Sequence, residues 1–484
     1  MTVDLSRRSF LKGILAGAVV VGFDTANRRW VTAAQAEGLT YSQFPAFDGV
    51  LYTDSASRAA AADDFGHIIH REPFAVLKAG SVDDIVTIVK LARRYGFKIA
   101  GRGQGHSTYG QPQVEAGVVI DMNGLNTIHS IRPGKADVDA GVIWSDLIRG
   151  AIAAGQTPPV LTDYIELSVG GTLSVGGIGG TSYKHGVQAD NVLELTVVTG
   201  DGKVEECSPS KNKKLFDSVL TGLGQFGIIV RATVKLIPAK THARVFLLYY
   251  EDIATFTEDQ VRLINEERFE YVEGQMVDNG SGGWRYMLEA AKFYSPPATP
   301  NNNALLAGLR YTAGSQQISD VTYFDFANRL APTIQFLKDI GVWGFPHPWS
   351  DVFVPGNKVN SYVGGVVSTL TVADTGQGPV LLYPFKTSAL TRQFFRVPNQ
   401  PIAFLFSILR TSPPDPAIYN AMIASNRELY ERNRDLGGTR YAIGCIPFSR
   451  QDWIRHFGPV WNEFEKAKRK YDPDNVLTPG QGIF

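Results

Sequence analysis

Two glycine-rich runs hold the residues of this sequence with the clearest chemical use. The first, GRGQGHSTYGQ (101–111), alternates Gly101, Gly103 and Gly105 with Arg102 and Gln104, then presents a single histidine, His106, followed by Ser107 and Gln111. The second is SVGGTLSVGGIGGTSYKHG (168–186), and an aspartate, Asp163, stands just ahead of it. Glycines let backbone approach a ligand closely and adopt positive φ, and successive N–H groups form a nest for anionic oxygen. Two such runs close together suit a diphosphate. The G-x-G-x-x-G fingerprint set between a strand and a helix is not met, which turns the reading away from a nicotinamide dinucleotide. Metal chemistry has little support. Cys207 and Cys445 are too few for a zinc or iron–sulfur site of the usual spacing. HIIH (67–70) offers two histidines without a carboxylate or cysteine at ligand spacing.

The segments around these runs read as alternating strands and helices. PFAVLKAG (73–80) predicts a strand. SVDDIVTIVKLARRYG (81–96) predicts a helix with Ser81 as its cap, Gly96 as its stop, and Ile85, Ile88, Val89 and Ala92 on one face. FKIA (97–100) predicts a strand that delivers the chain to the first glycine run, which itself reads as neither helix nor interior strand. Further strands are expected at 117–122 and, as a hairpin turning at Gly200-Asp201-Gly202, within 192–207. Strand then helix is expected over 137–155, and helix, glycine turn, strand over 215–239. Beyond residue 240 the texture changes to more aromatics and longer loops, with a strand at 378–385, a long helix at 415–438 and an amphipathic helix at 452–471.

The whole is an α+β pattern of 484 residues, with 47 Lys+Arg against 47 Asp+Glu. That balance gives no reason to expect nucleic acid or an anionic membrane as partner. Residues 1–36 read as an export signal. Paired Arg7 and Arg8, Phe10-Leu11-Lys12, an apolar stretch (14–23) and AQA (34–36) resemble a twin-arginine leader cleaved after Ala36. The apolar stretch is too short to span roughly 30 Å of hydrocarbon, so no membrane span is expected after cleavage. This route carries folded proteins and implies a cofactor installed beforehand, with a periplasmic or secreted destination. An oxidising destination would allow Cys207 and Cys445 to pair.

Joined together, the motifs resemble the flavoprotein family typified by vanillyl-alcohol oxidase, with its PCMH-type FAD-binding domain. They are most similar to the cytokinin dehydrogenases. The resemblance rests on DFGHIIHREPFAVLKAGSVDDIV (64–86), GRGQGHSTYGQ, TDYIELSVGGTLS (162–174), KHGVQADNVLELTVVTGDG (184–202) and GLGQFGII (222–229). It continues through YVEG (271–274), PHPW (346–349), FVP (353–355), LLYPF (381–385) and DPDNVLTPGQGIF (472–484). It implies a two-domain fold. A flavin domain of two α+β subdomains, 40–240 with 441–484, would carry an inserted substrate domain, 241–440, built on an antiparallel sheet flanked by helices.

The resemblance also implies roles. His106 would be bonded covalently to the 8α-methyl of FAD. This would be the single attachment, because Tyr164 stands near the place where doubly linked relatives have a cysteine. Gly101, Gly103, Gln104, Gly105, Ser107 and Gln111 would line the diphosphate and ribityl chain, and Gln104 replaces an expected arginine. Ser168, Ser174 and Ile178 would join them from the second run, Ile229 would lie by the adenine, and Tyr441, Thr478 and Gln481 would close over the flavin. Asp163 matches the catalytic aspartate: oxidising a secondary amine needs hydride loss to flavin N5 and a nearby acceptor for the N–H proton. Glu273 would hold the purine end or relay through Asp163, the two carboxylates titrating as a pair. Trp349 would wall the pocket around a planar base, and Asp351 stands where plant relatives tend to have asparagine.

The implied function is oxidation of N6-substituted adenines such as isopentenyladenine, the imine then hydrolysing to adenine and an aldehyde. The electron acceptor would be oxygen or a quinone, and the enzyme a monomer. The alternatives are an oxidase of another amine, alcohol or sugar on the same fold, and a non-enzymatic binder of purines or flavins.

Overall fold

Ser81 opens its helix as the spacing predicts. Its hydroxyl accepts from the Asp84 amide at 3.3 Å, the helix runs Val82–Tyr95, and Gly96 ends it at φ 71°. Ile85, Ile88, Val89 and Ala92 are all buried. The helix connects strand Ala75–Lys78 to strand Ile99–Arg102, and both pair in parallel with Val118–Asp121 between them. Val50–Tyr52 completes this four-stranded sheet as an antiparallel edge. The computed structural model describes residues 20–24, 29–32, 42–43, 46–376 and 378–484. Within the first of these, Val20–Asp24 pairs antiparallel with Arg29–Thr32 and with Ser42–Gln43. The remainder of the export segment expected over 1–36 lies outside the described residues.

A second sheet is antiparallel, in the order Val204–Cys207, Val192–Thr199, Gly227–Lys235, Lys135–Asp139, Ile128–Arg132. It contains the hairpin expected from 192–207. A third sheet of eight strands is antiparallel throughout. Its order is Gln317–Thr322, His242–Tyr250, Trp284–Tyr294, Tyr271–Asp278, Val380–Lys386, Ile402–Ile408, Ser350–Pro355 and Thr439–Arg440. Buried apolar side chains from all three sheets form one continuous core. After the third sheet the chain returns to the first, where Leu477 bridges Ile99 in parallel and the Thr478 amide donates to the Ile99 carbonyl at 2.8 Å.

Several expectations need correction. The segment 452–471 is two helices, Arg450–Phe457 and Trp461–Tyr471, because Gly458 takes φ 51° and Pro459 has no N–H to continue the ladder. The second glycine run is not all loop, since Val169–Val175 is helical. Its glycines serve packing there, as a Cβ on Gly170 would stand 2.8 Å from the Ala140 Cβ. Strand Ile99–Arg102 begins later than expected and carries Gly101 and Arg102 of the first glycine run into the sheet. Cys207 and Cys445 are both buried and free, so they do not pair. His67 is not isolated from carboxylates either, for its Nδ1 lies 2.6 Å from Asp63 Oδ2.

Candidate active site

A cavity of about 1060 Å³ is walled by residues of all three sheets. That is at the upper end of the roughly 300–1,000 Å³ usual for small-molecule sites. Gly101, Gly103, Gln104, Gly105, His106, Ser107, Gln111, Asp163, Ser168, Ser174, Ile178, Ile229, Glu273, Trp349, Asp351, Tyr441, Thr478 and Gln481 all line it.

At one end stands His106, in an aromatic cage. Its ring stacks on Phe65 with centroids 4.1 Å apart, and Phe65 stacks in turn on His347, also at 4.1 Å. Tyr164 lies 4.7 Å away and Trp349 meets the imidazole edge-on at 5.6 Å. Burial, with His347 nearby, pushes the His106 pKa down to about 3. The imidazole is therefore neutral at physiological pH, so a ring nitrogen keeps its lone pair. Trp349 thus belongs to the wall around His106.

Tyr164 and the adjacent Asp163 tie this end to a second cluster. Asp163 Oδ1 accepts from Tyr271 Oη at 2.9 Å and from Arg329 Nη2 at 2.6 Å. Its Oδ2 has no hydrogen-bond partner among the described residues. Glu273, on strand Tyr271–Asp278, is 1% exposed, and its Oε1 lacks any partner. Burial first, then the Asp163 charge, pushes the Glu273 carboxyl well above the usual carboxylate range. Glu289 faces Glu273 across the strand pair and is raised by burial as well.

Backbone packing fixes both clusters. The Val272 amide donates to the Gly180 carbonyl at 3.0 Å, and a Cβ on Gly180 would lie 2.6 Å from the Tyr271 ring. That ring is buried and meets Phe326 edge-on at 4.9 Å, so the easiest way for it to yield is a shift of its hydroxyl end. Gly180→Ala should therefore leave the fold intact and displace Tyr271 from Asp163. Flavin reduction should slow on the order of 10–100-fold, which stopped-flow absorbance on the yellow variant would measure.

The lining fits FAD. A Cβ on Gly103 would stand 2.0 Å from Ser168 Oγ, and Gly105 sits at φ 64°. Gly103 thus lets the first glycine run pass close against Ser168 of the second, and both runs line the cavity with little side chain of their own, which suits a diphosphate and ribityl chain. Tyr441 Oη accepts from the Gly177 amide at 3.2 Å, and Thr478 Oγ1 donates to the Gly224 carbonyl at 2.9 Å. The Gln111 amide is engaged with the Ile443 and Gly444 carbonyls at 3.2 and 3.3 Å, so it braces this wall. Gln104 is exposed and donates to Asn123 Oδ1 at 2.5 Å.

Asp351 is the third carboxyl of the cavity. Ser407 Oγ donates to its Oδ1 at 2.7 Å, and Oδ2 has no partner. Burial pushes its pKa up to about 7. A folded pKa above the unfolded value of about 3.9 means that folding takes up a proton between about pH 4 and 7. Stability then falls as pH rises through that window. Asp351→Asn should stabilise the protein on the order of 2–4 kcal/mol at pH 8 and far less at pH 5, read as thermal midpoints at the two pH values.

Sequence reasoning missed Arg329, Glu289, Phe65 and Trp343, and gave Tyr271 and His347 no role although both lie within the motifs YVEG and PHPW. For Arg329 no local signal exists, as its partners are distant in sequence.

Known proteins bear on this site. A family model described as "FAD binding domain" matches residues 73–208. A second, described as "Cytokinin dehydrogenase 1, FAD and cytokinin binding", matches residues 278–484. An uncharacterised oxidoreductase of the fasciation locus of Rhodococcoides fascians is 42% identical over 89% of this chain and 98% of its own. Cytokinin dehydrogenase 3 of Arabidopsis thaliana is 36% identical over 90% of this chain and 91% of its own. The crystal structure of 6-hydroxy-D-nicotine oxidase from Arthrobacter nicotinovorans superposes with a TM-score of 0.68 at 21% identity, covering 89% of this chain and 96% of that one. That last likeness shares a fold and no more.

Proposed function

Because the protein belongs to the cytokinin dehydrogenase family of FAD-dependent oxidoreductases, we propose that it oxidises N6-substituted adenines at the bond joining N6 to the first carbon of its substituent. Bound FAD supplies the two-electron acceptor. The protein's own residues handle the proton and the orientation. Asp163 has one oxygen held by two donors and the other open on the cavity. It takes the N–H proton as the neighbouring C–H departs as hydride. The substrate is left with a C=N bond, and water splits it to adenine and an aldehyde. Glu273, neutral through burial, offers an O–H to a ring nitrogen of the purine. The pairing of an open Asp163 oxygen with a deeply buried Glu273 whose Oε1 is unpartnered, both lining one cavity, is the observation that carries this reading.

His106, with its free imidazole at the far end, is the proposed single covalent anchor of the flavin. Residues 40–240 with 441–484 are read as the flavin unit and 241–440 as the substrate unit. The Arg7-Arg8 leader is read as an export signal that delivers a loaded monomer to the periplasm or beyond, where oxygen or a quinone would reoxidise it. Among the described residues no helix is long and apolar enough to cross a membrane.

The test is anaerobic addition of isopentenyladenine to the purified yellow protein. Bleaching of the flavin within one turnover, with adenine recovered, is expected. A flavin that stays oxidised with isopentenyladenine and is reduced by another amine, alcohol or sugar would replace the substrate and keep the family.

A further inference from the structure

In the proposed reaction Asp163 accepts a proton and Glu273 donates one, and the hydrogen bonds around the two carboxyls differ. The explanation lies in a third element. Arg329 follows the short helix Tyr323–Ala327 and reaches back under the third sheet. Its Nη2 donates to Asp163 Oδ1 at 2.6 Å and also to Tyr271 Oη. Glu273 Oε2 is farther from it, at 3.6 Å. Its Nε is fixed 3.0 Å from Glu289 Oε1. The guanidinium also lies over the rings of Tyr271 and Phe326, 4.9 and 5.0 Å from their centroids.

The hydrogen bonds divide unequally. A tyrosine hydroxyl has one proton to give. With its oxygen occupied by Arg329, Tyr271 gives that proton to Asp163. Asp163 therefore receives two close donors, one of them charged, whereas Glu273 Oε1 receives none and its Oε2 only the longer approach of Arg329 and a pull from Tyr271 that burial outweighs. Charge-assisted bonds are roughly twice as strong as neutral ones, so the ionised form is favoured at Asp163. Glu289 and Glu273 stand directly opposite on paired strands, where two negative charges would repel.

We propose that Arg329, anchored by Glu289, is the positioning residue that keeps Asp163 ionised and leaves Glu273 as the neutral acid. This rests on the reading of Asp163 as proton acceptor. The charged and titratable groups facing Asp163 are Tyr271, Glu273 and Glu289 from the paired strands, Arg329, and Tyr383 from strand Val380–Lys386. Burial raises Tyr271 and Glu273 well above their ordinary values. Burial opposes the Arg329 charge, but its acidic surroundings hold the guanidinium well above its ordinary value.

The experiment titrates the protonated-carboxyl infrared band of the holoenzyme without substrate, for wild type, Glu273→Gln, Arg329→Gln and Glu289→Gln. Wild type should show a band near neutral pH that Glu273→Gln removes. Arg329→Gln should add a second protonated carboxyl, lost only at least one pH unit above the point at which Asp163 ionises in wild type. Glu289→Gln removes a neighbouring negative charge while its amide oxygen still accepts from Arg329, so it should shift Asp163 the other way. The acid limb of anaerobic flavin reduction should follow the same two directions, with Arg329→Lys between wild type and Arg329→Gln. Uniform rate losses with an unmoved limb and an unmoved band would reduce Arg329 to a structural part and overturn the proposal. If Arg329→Gln does not fold, Arg329→Lys decides: it keeps the charge but loses the fork, and an unmoved band and limb in it would overturn the proposal. Failure of isopentenyladenine to bleach wild type would strike the substrate reading, and the infrared titration would still decide this one.

Discussion

Asp163→Asn should lower the rate of anaerobic flavin reduction by about two to four orders of magnitude while the protein stays yellow. The substitution is close to isosteric. The amide oxygen can still accept from Tyr271 and Arg329, which now hold Oδ1 at 2.9 and 2.6 Å, so the loop keeps its place. What disappears is the oxygen proposed to take the proton from the substrate. The oxygen turned to the cavity becomes an NH2 group, a donor aimed at another donor. Substrate binding should weaken less than the rate falls, and stopped-flow absorbance separates the two. A rate within a few-fold of wild type would remove Asp163 from the proton transfer.

His106→Ala should give an all-or-none readout. Wild-type protein precipitated with acid should keep its yellow colour in the pellet, and the variant should release all of it to the supernatant. The native variant should still take up FAD, because the backbone wall formed by Gly103, Gly105 and Ser168 does not depend on the imidazole. Phe65 loses one stacking partner but keeps His347 at 4.1 Å, so the cage survives. A wild-type pellet that is already colourless would end the covalent reading for this protein and leave its FAD chemistry untouched.

What could be read from the sequence was what depends on near neighbours. The Ser81 cap, the Gly96 stop and the apolar face between them act within one helix, and they fold as expected. The hairpin at Gly200-Asp201-Gly202 is equally local. The break at Gly458-Pro459 was visible in principle, but the amphipathic spacing on either side hid it. Helix Val169–Val175 was hidden for the opposite reason. Its glycines look like loop residues until the contact of Gly170 with Ala140 shows that they make room. Arg329 was beyond reach. It meets Asp163 across 166 positions of sequence, and only the crossing of the third sheet with the loop before the second glycine run brings them together.

The return of residues 476–481 to the first sheet has a consequence for the order of events in the cell. His106, Gly101 and Gly103 are made early in synthesis. The Leu477 bridge to Ile99 and the walls supplied by Thr478 and Gln481 come only after the whole eight-stranded sheet has been translated. A nascent polypeptide on the ribosome therefore has the histidine but no enclosed pocket around it. A protein lacking that last segment should therefore accumulate colourless even though every residue of both glycine runs is present.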